Sequence, residues 1–190
     1  MPFSGVLIAI YEATYLQLVS AYKGNDIVAD LPDSLVPLWC NDYAASSPNS
    51  ELVEVSDGTP GGRSFSYLFD LSLQRNVVAW GIPGYVTDKR DAARMAGSPV
   101  GGDYRYHRGH LMSHGTGGST DINLVPQRGS LNIGAFRRLE RKVRGLAQQH
   151  QTCLYFVRTL YTDGSQMPHQ IEQCVVQPSK AVSYAMHNNF

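Results

Sequence analysis

Apolar residues recur at two different periods along this chain, and the change of period marks its elements. From Leu131 to Gln149 they fall three and four apart (Leu131, Ala135, Leu139, Val143, Leu146), which predicts one helix over 131–149. The N-terminal stretch PFSGVLIAIYEATYLQLVSAY also has helical spacing. It lacks the basic start of a signal peptide, and Glu12 interrupts its apolar run. No run approaches the ~18 apolar residues of a membrane-spanning helix. FSYLFDLSLQRNVVAWGI reads as two strands, and Asp121–Val125 as a short one. Cys153–Tyr161 and Gln170–Val176 are apolar and β-rich around a turn at Thr162–Ser165. Residues 84–104 read as irregular, with a short helix around Asp91–Met95. Residues 44–63, rich in Ser, Pro and Gly, read as a linker or long loop.

This order predicts an α+β fold: an antiparallel β-sheet with helices. The division expected is an acidic, partly helical extension and linker over 1–63, then a domain over 64–190. If Asp163-Gly164 forms a two-residue hairpin turn, Cys153 lies opposite Cys174. A disulfide and two buried thiols both fit that register, and Cys40 is left over. No Cys/His spacing suggests structural zinc.

Net charge is zero over 190 residues, but it is unevenly spread. Residues 1–60 carry eight acids against one base, and residues 101–150 carry eight bases against three acids. A basic half suggests a polyanionic partner, DNA and/or RNA. The acidic segment is then a candidate mask for that basic surface, or a plain structural extension. Arg137, Arg138, Arg141, Lys142 and Arg144 cluster on the 131–149 helix. They form either a solvated face or a track for phosphates, with Arg137, Arg138 and Arg141 the candidates for substrate binding.

The candidate chemistry lies in RGHLMSHGTGGSTDINLVPQRGSLNIGAFRRLE, residues 108–140. It places a His, two Asn and a Glu in one short segment. Cleaving a phosphodiester takes a base for the water, a cation for the charge at phosphorus, and fixed positive groups on the phosphate. His110 titrates near neutrality and suits the base. Asn132 offers a hard cation a neutral oxygen, and Mg²⁺ often takes only one or two protein ligands. Glu140 suits the metal's waters, and Arg108 suits a phosphate oxygen. On one continuous helix, Asn132 and Glu140 lie about 80° apart at ~3.6 residues per turn. Blander roles are also open. Asn123 can satisfy backbone groups, and Glu140 can pair with Arg137 or Arg144.

The segment resembles the DNA/RNA non-specific endonuclease family with the ββα-metal fold, closest to its bacterial toxin-type branch. The resemblance rests on Arg108-Gly109-His110-Leu111, Gly117-Gly118, Asn123 through Gln127, and Leu131, Asn132, Gly134, Phe136, Leu139 and Glu140. It implies His110 as general base, Asn132 as direct ligand of Mg²⁺ or alternatively Mn²⁺, and support from Asn123, Glu140 and Arg108. Arg75 matches an upstream Arg that contacts the scissile phosphate. One position departs: the family's Asp before the Arg-Gly-His turn is His107 here. The resemblance further implies a nuclease of low sequence specificity acting as a toxin or effector, secreted or delivered into a target cell, otherwise cytoplasmic. An immunity or inhibitor protein would then be a partner. A catalytically degenerate member that binds nucleic acid or protein is the alternative.

Overall fold

The computed structural model describes residues 4–58, 64–88 and 96–190. Its centre is a six-stranded antiparallel sheet. The strands are β1 (Leu52–Gly58), β2 (Ser64–Asp70), β3 (Arg75–Gly81), β6 (Leu154–Leu160), β7 (Gln170–Val176) and β8 (Val182–Asn188), in that spatial order. Between β3 and β6 the chain leaves the sheet. It forms a hairpin, β4 (Tyr106–His110) with β5 (Leu124–Arg128), and two helices, α3 (Gly129–Ile133) and α4 (Phe136–Gln148). The fold is thus mixed helix and antiparallel sheet, as the periodicity predicts.

Alternation along the strands divides the core in two. In β6, Leu154 and Phe156 point to one face, and Tyr155 and Val157 to the other. The first face is covered by α1 (Ser4–Ala21) and α2 (Ile27–Ser46). Leu31, Leu35, Trp39 and Tyr43 recur every fourth residue of α2, forming one buried stripe. Asp26 caps α2 by accepting from the Val28 and Ala29 N–H groups. Trp39 packs on Trp80 and Phe156, with ring centroids 5.6 and 5.0 Å apart. The second face buries Phe65, Tyr67 and Tyr155 under Leu111, Met112, Phe136 and Val143. The hairpin and α4 therefore sit on the side of the sheet opposite α1 and α2.

The acid-rich helices are tied to the sheet by a buried cation. Arg158 of β6 pairs with Asp42 of α2 at 3.1 Å and with Glu172 of β7 at 3.0 Å. Its guanidinium lies 4.0 Å from the Tyr11 ring centroid, and the Tyr15 hydroxyl donates to Glu172. Part of the acidic excess thus neutralises an arginine inside the fold. The segment packs on the sheet face away from α4, so it does not mask the α4 arginines.

Three local expectations are corrected. Residues 52–58, expected within a linker, form edge strand β1, fully paired with β2. The 131–149 helix is broken at Gly134, whose φ and ψ are −108° and −107°. A Cβ there would lie 2.5 Å from the Ser130 carbonyl oxygen, so the break needs glycine. The β6–β7 connection spans 161–169, because Leu160 pairs with Gln170. Cys174 therefore pairs with Phe156, and Cys153 and Cys174 lie on opposite faces with no disulfide between them. The short helix expected around Asp91–Met95 lies outside the described residues.

Candidate active site

The site is assembled where hairpin β4–β5 runs into α3. Antiparallel pairing sets His107 opposite Gln127, Arg108 opposite Pro126, and His110 opposite Leu124. After His110 the chain plunges into the core: Leu111 and Met112 are fully buried beneath the sheet. Their burial fixes the end of β4, so His110, 8% exposed, is held by its own neighbours in sequence.

Asn123 closes this corner. It is wholly buried; its Oδ1 accepts the Met112 N–H at 2.7 Å, and its Nδ2 donates to the carbonyls of Met112 (2.7 Å) and Ser119 (2.9 Å). Its backbone oxygen accepts the Leu111 N–H. All of these bonds hold the loop that follows His110. The loop must also come close, since a Cβ on Gly118 would overlap the Met112 carbonyl. Asn123 is thereby placed to position the His110 turn, not to face a substrate.

Asn132 lies in α3 and reaches back to β4. Its Nδ2 is 3.1 Å from His107 Nδ1, with the amide as donor when that nitrogen carries no proton. This engages the nitrogen end of the amide and leaves the oxygen end for a cation. His107, standing where a carboxylate was expected, thus contacts the candidate metal residue. Glu140 belongs to α4, beyond the Gly134 break, so the 80° relation of a single helix does not apply. Burial pushes its carboxyl up to about 7, while Arg137 pulls it down. Arg108 Nη2 makes a long bond, 3.4 Å, to the Ser98 carbonyl.

Along α4, Phe136, Val143 and Ala147 are buried, while Arg137, Arg138, Arg141, Lys142 and Arg144 are exposed. Arg141 donates to the Arg137 carbonyl, Lys142 donates to Ser183 Oγ, and the Arg144 guanidinium lies 5.3 Å from the Tyr85 ring centroid. The helix presents a cationic ridge directly after the Asn132 turn.

Arg75 lines a crevice together with Arg108, but its guanidinium is engaged by other groups. It is 3% exposed, and its donors are taken by Tyr43 Oη, the Asp163 and Ser165 carbonyls and Ser47 Oγ. Its guanidinium stacks 3.9 Å from the Tyr161 ring centroid. It joins α2 to the β6–β7 connection.

Asn189 is a positioning residue that sequence reasoning missed. Its Oδ1 accepts the Arg128 N–H at 2.7 Å, and its Nδ2 donates to the carbonyls of Pro126 (3.0 Å) and Pro168 (2.8 Å). One side-chain amide thus pairs with both free backbone groups of β5, like the next strand of a ladder. The Tyr106 hydroxyl donates to its carbonyl. It lies 61 and 63 residues from its β5 partners Arg128 and Pro126, where no local pattern could reveal it.

Among the described residues no group of three His, Cys, Asp or Glu side chains is placed to hold a metal. The candidate donors are instead the Asn132 amide oxygen on α3, the Glu140 carboxylate on α4 and the His110 imidazole at the end of β4. Such donors fit a divalent cation.

With this geometry in view, residues 84–177 match the sequence model of DNA/RNA non-specific endonucleases. The match supports an enzyme of the nuclease class. The match spans the hairpin, both helices and the β6–β7 pair. The fold is also that of NucA from Streptococcus agalactiae with magnesium ion bound: TM-score 0.57 at 13% identity, covering 80% of this chain and 88% of that one. The form of NucA with no metal bound gives 0.55 at the same identity and coverage. Sda1 nuclease with bound zinc ion gives 0.52 at 13% identity, over 74% and 84% of the two chains. No curated protein matches the chain in sequence. The matched domain is a hydrolase of the nuclease class, its substrate is nucleic acid, and no helix among the described residues is long and apolar enough to cross a membrane.

Proposed function

We propose that the chain is an Mg²⁺-dependent endonuclease of low sequence specificity, using His110 as general base and Asn132 as the direct metal ligand. The observation that carries this reading is the contact between Asn132 on α3 and His107 on β4. It sets Asn132 against the strand that also bears Arg108 and His110. Glu140 would hold the metal's waters, and Mn²⁺ would serve the same donors. Bound there, the cation supplies charge for the leaving oxygen and the phosphate. His110, fixed by Leu111, Met112 and Asn123, takes the proton of the attacking water. Arg108 clamps a phosphate oxygen through its planar fork. Arg137, Arg138 and Arg141 track the backbone, which carries no sequence information, so cleavage is sequence-tolerant.

The effector or toxin role, release from the producing cell and a matched inhibitor protein belong to this proposal. Their support is the motif resemblance to the toxin-type branch together with an exposed cationic ridge that an acidic inhibitor fits. Loss of viability on expression, rescued by an inhibitor, is the expected result; harmless expression of active enzyme contradicts it. The enzymatic reading is tested by plasmid nicking. Nicking with Mg²⁺, abolished by EDTA, is expected; nucleic-acid binding without cleavage in any divalent cation would instead establish a degenerate member.

A further inference from the structure

A crevice of about 670 Å³ opens beside Arg108. It lies between the β2–β3 turn, the chain at 99–100, the β4–β5 hairpin and the β6–β7 connection. Its walls mix apolar and polar side chains: Pro126 is the cross-strand neighbour of Arg108, and Leu71 and Val100 stand 46% and 73% exposed. The polar lining includes the side-chain amides of Gln74, Asn76 and Gln166, the Asp121 carboxylate and Arg75. Gln74 has φ of +50°, a conformation that non-glycine residues hold mainly at functional or strained sites.

We propose that this crevice is a base-binding subsite, which takes the unpaired nucleobase of the nucleotide whose phosphate sits on Arg108. The inference rests on the endonuclease reading and names the form of its substrate. The volume is in the range of small-ligand sites and exceeds what one nucleotide requires. The guanidinium at the rim supplies the phosphate contact, and Pro126, across the strand pair from it, offers an apolar surface for the base face. Leu71 and Val100 are exposed aliphatics that a flat base would cover. An amide both donates and accepts, so Gln74 and Gln166 can satisfy the edge of any base. The subsite therefore distinguishes unpaired from paired bases without choosing among the four. A base in duplex has its edge paired and its faces stacked, and must be drawn out at a cost in free energy. Single-stranded and frayed substrates are accordingly favoured over intact duplex.

Abasic scanning of the purified full chain tests this. Single-stranded oligonucleotides, each lacking one base at a defined position, are compared with the intact strand in cleavage and in fluorescence anisotropy. One position beside the cleaved bond is expected to lower kcat/KM and affinity about 10- to 100-fold, the range of one lost base contact, with small effects elsewhere. In a Leu71→Ala/Val100→Ala variant, altered only at exposed side chains, the penalty at that position should shrink to a few-fold while cleavage of the abasic strand stays at the wild-type rate. Equal behaviour of all abasic strands, or an undiminished penalty in the variant, overturns the subsite. Absence of cleavage contradicts the endonuclease reading, and the anisotropy arm still decides whether the crevice binds a base.

Discussion

Glu140→Gln separates the charge of this carboxylate from its shape. Burial raises its pKa from 4.5 to about 7. At ~1.36 kcal/mol per pH unit, that difference corresponds to at most about 3 kcal/mol of folding free energy. The sign follows from proton counting. Between pH 4.5 and 7 the folded chain keeps a proton that the unfolded chain has released, so stability falls as pH rises through this window. Below it, both states are protonated and nothing is lost; above it, the whole cost is present. Glutamine keeps the volume but cannot ionise. Urea unfolding in EDTA, from pH 4.5 to 8, should therefore show a declining curve for the wild type and a flatter one for Glu140→Gln. The variant should be the more stable by up to ~3 kcal/mol at pH 8, with little difference at pH 4.5. Cleavage should nevertheless fall about 10- to 100-fold, as expected for a group that holds a metal's waters. The same pH slope in both proteins would refute the placement of this charge in a half-buried site.

Asn132→Ala should abolish metal binding by titration calorimetry, while His107→Ala, which removes only the partner of the amide, should weaken it about 10- to 100-fold. Asn189→Ala leaves backbone groups of β5 unpaired and should cost ~1–3 kcal/mol in urea unfolding; kcat should fall more than KM rises, because the hairpin and not the substrate contact is disturbed. Replacing Arg137, Arg138 and Arg141 by Gln should reduce the slope of log affinity against log salt by about 2–3, at ~0.9 per phosphate contact. An unchanged slope would mean that the α4 ridge faces solvent.

Elements with strong local periodicity were legible before any coordinates. The two strands in FSYLFDLSLQRNVVAWGI and the apolar stripe of α4 rest on neighbours in sequence, whereas the Arg-Gly-His segment, read as a turn, ends strand β4. What escaped depends on distant partners or on backbone geometry. The break at Gly134 is invisible to spacing, because the apolar residues on either side stay in phase. Strand β1 lies in a polar, Ser-rich stretch and owes its form to pairing with β2. The Cys register failed because the β6–β7 turn is longer than its Asp-Gly pair suggests. Arg75 was read from a short motif, but Tyr43 and Tyr161 claim its guanidinium from opposite ends of the chain. The candidate site itself was legible as a set of residues; that His107 touches Asn132 was not.

The most direct test is the cleavage rate of one defined oligonucleotide by wild type and His110→Ala, at saturating Mg²⁺, with unfolding curves for both. The account predicts a loss of about 10²- to 10⁴-fold in turnover, with metal binding and stability retained. Wild-type turnover by the folded variant would contradict it, because no proton acceptor at the end of β4 would then be needed.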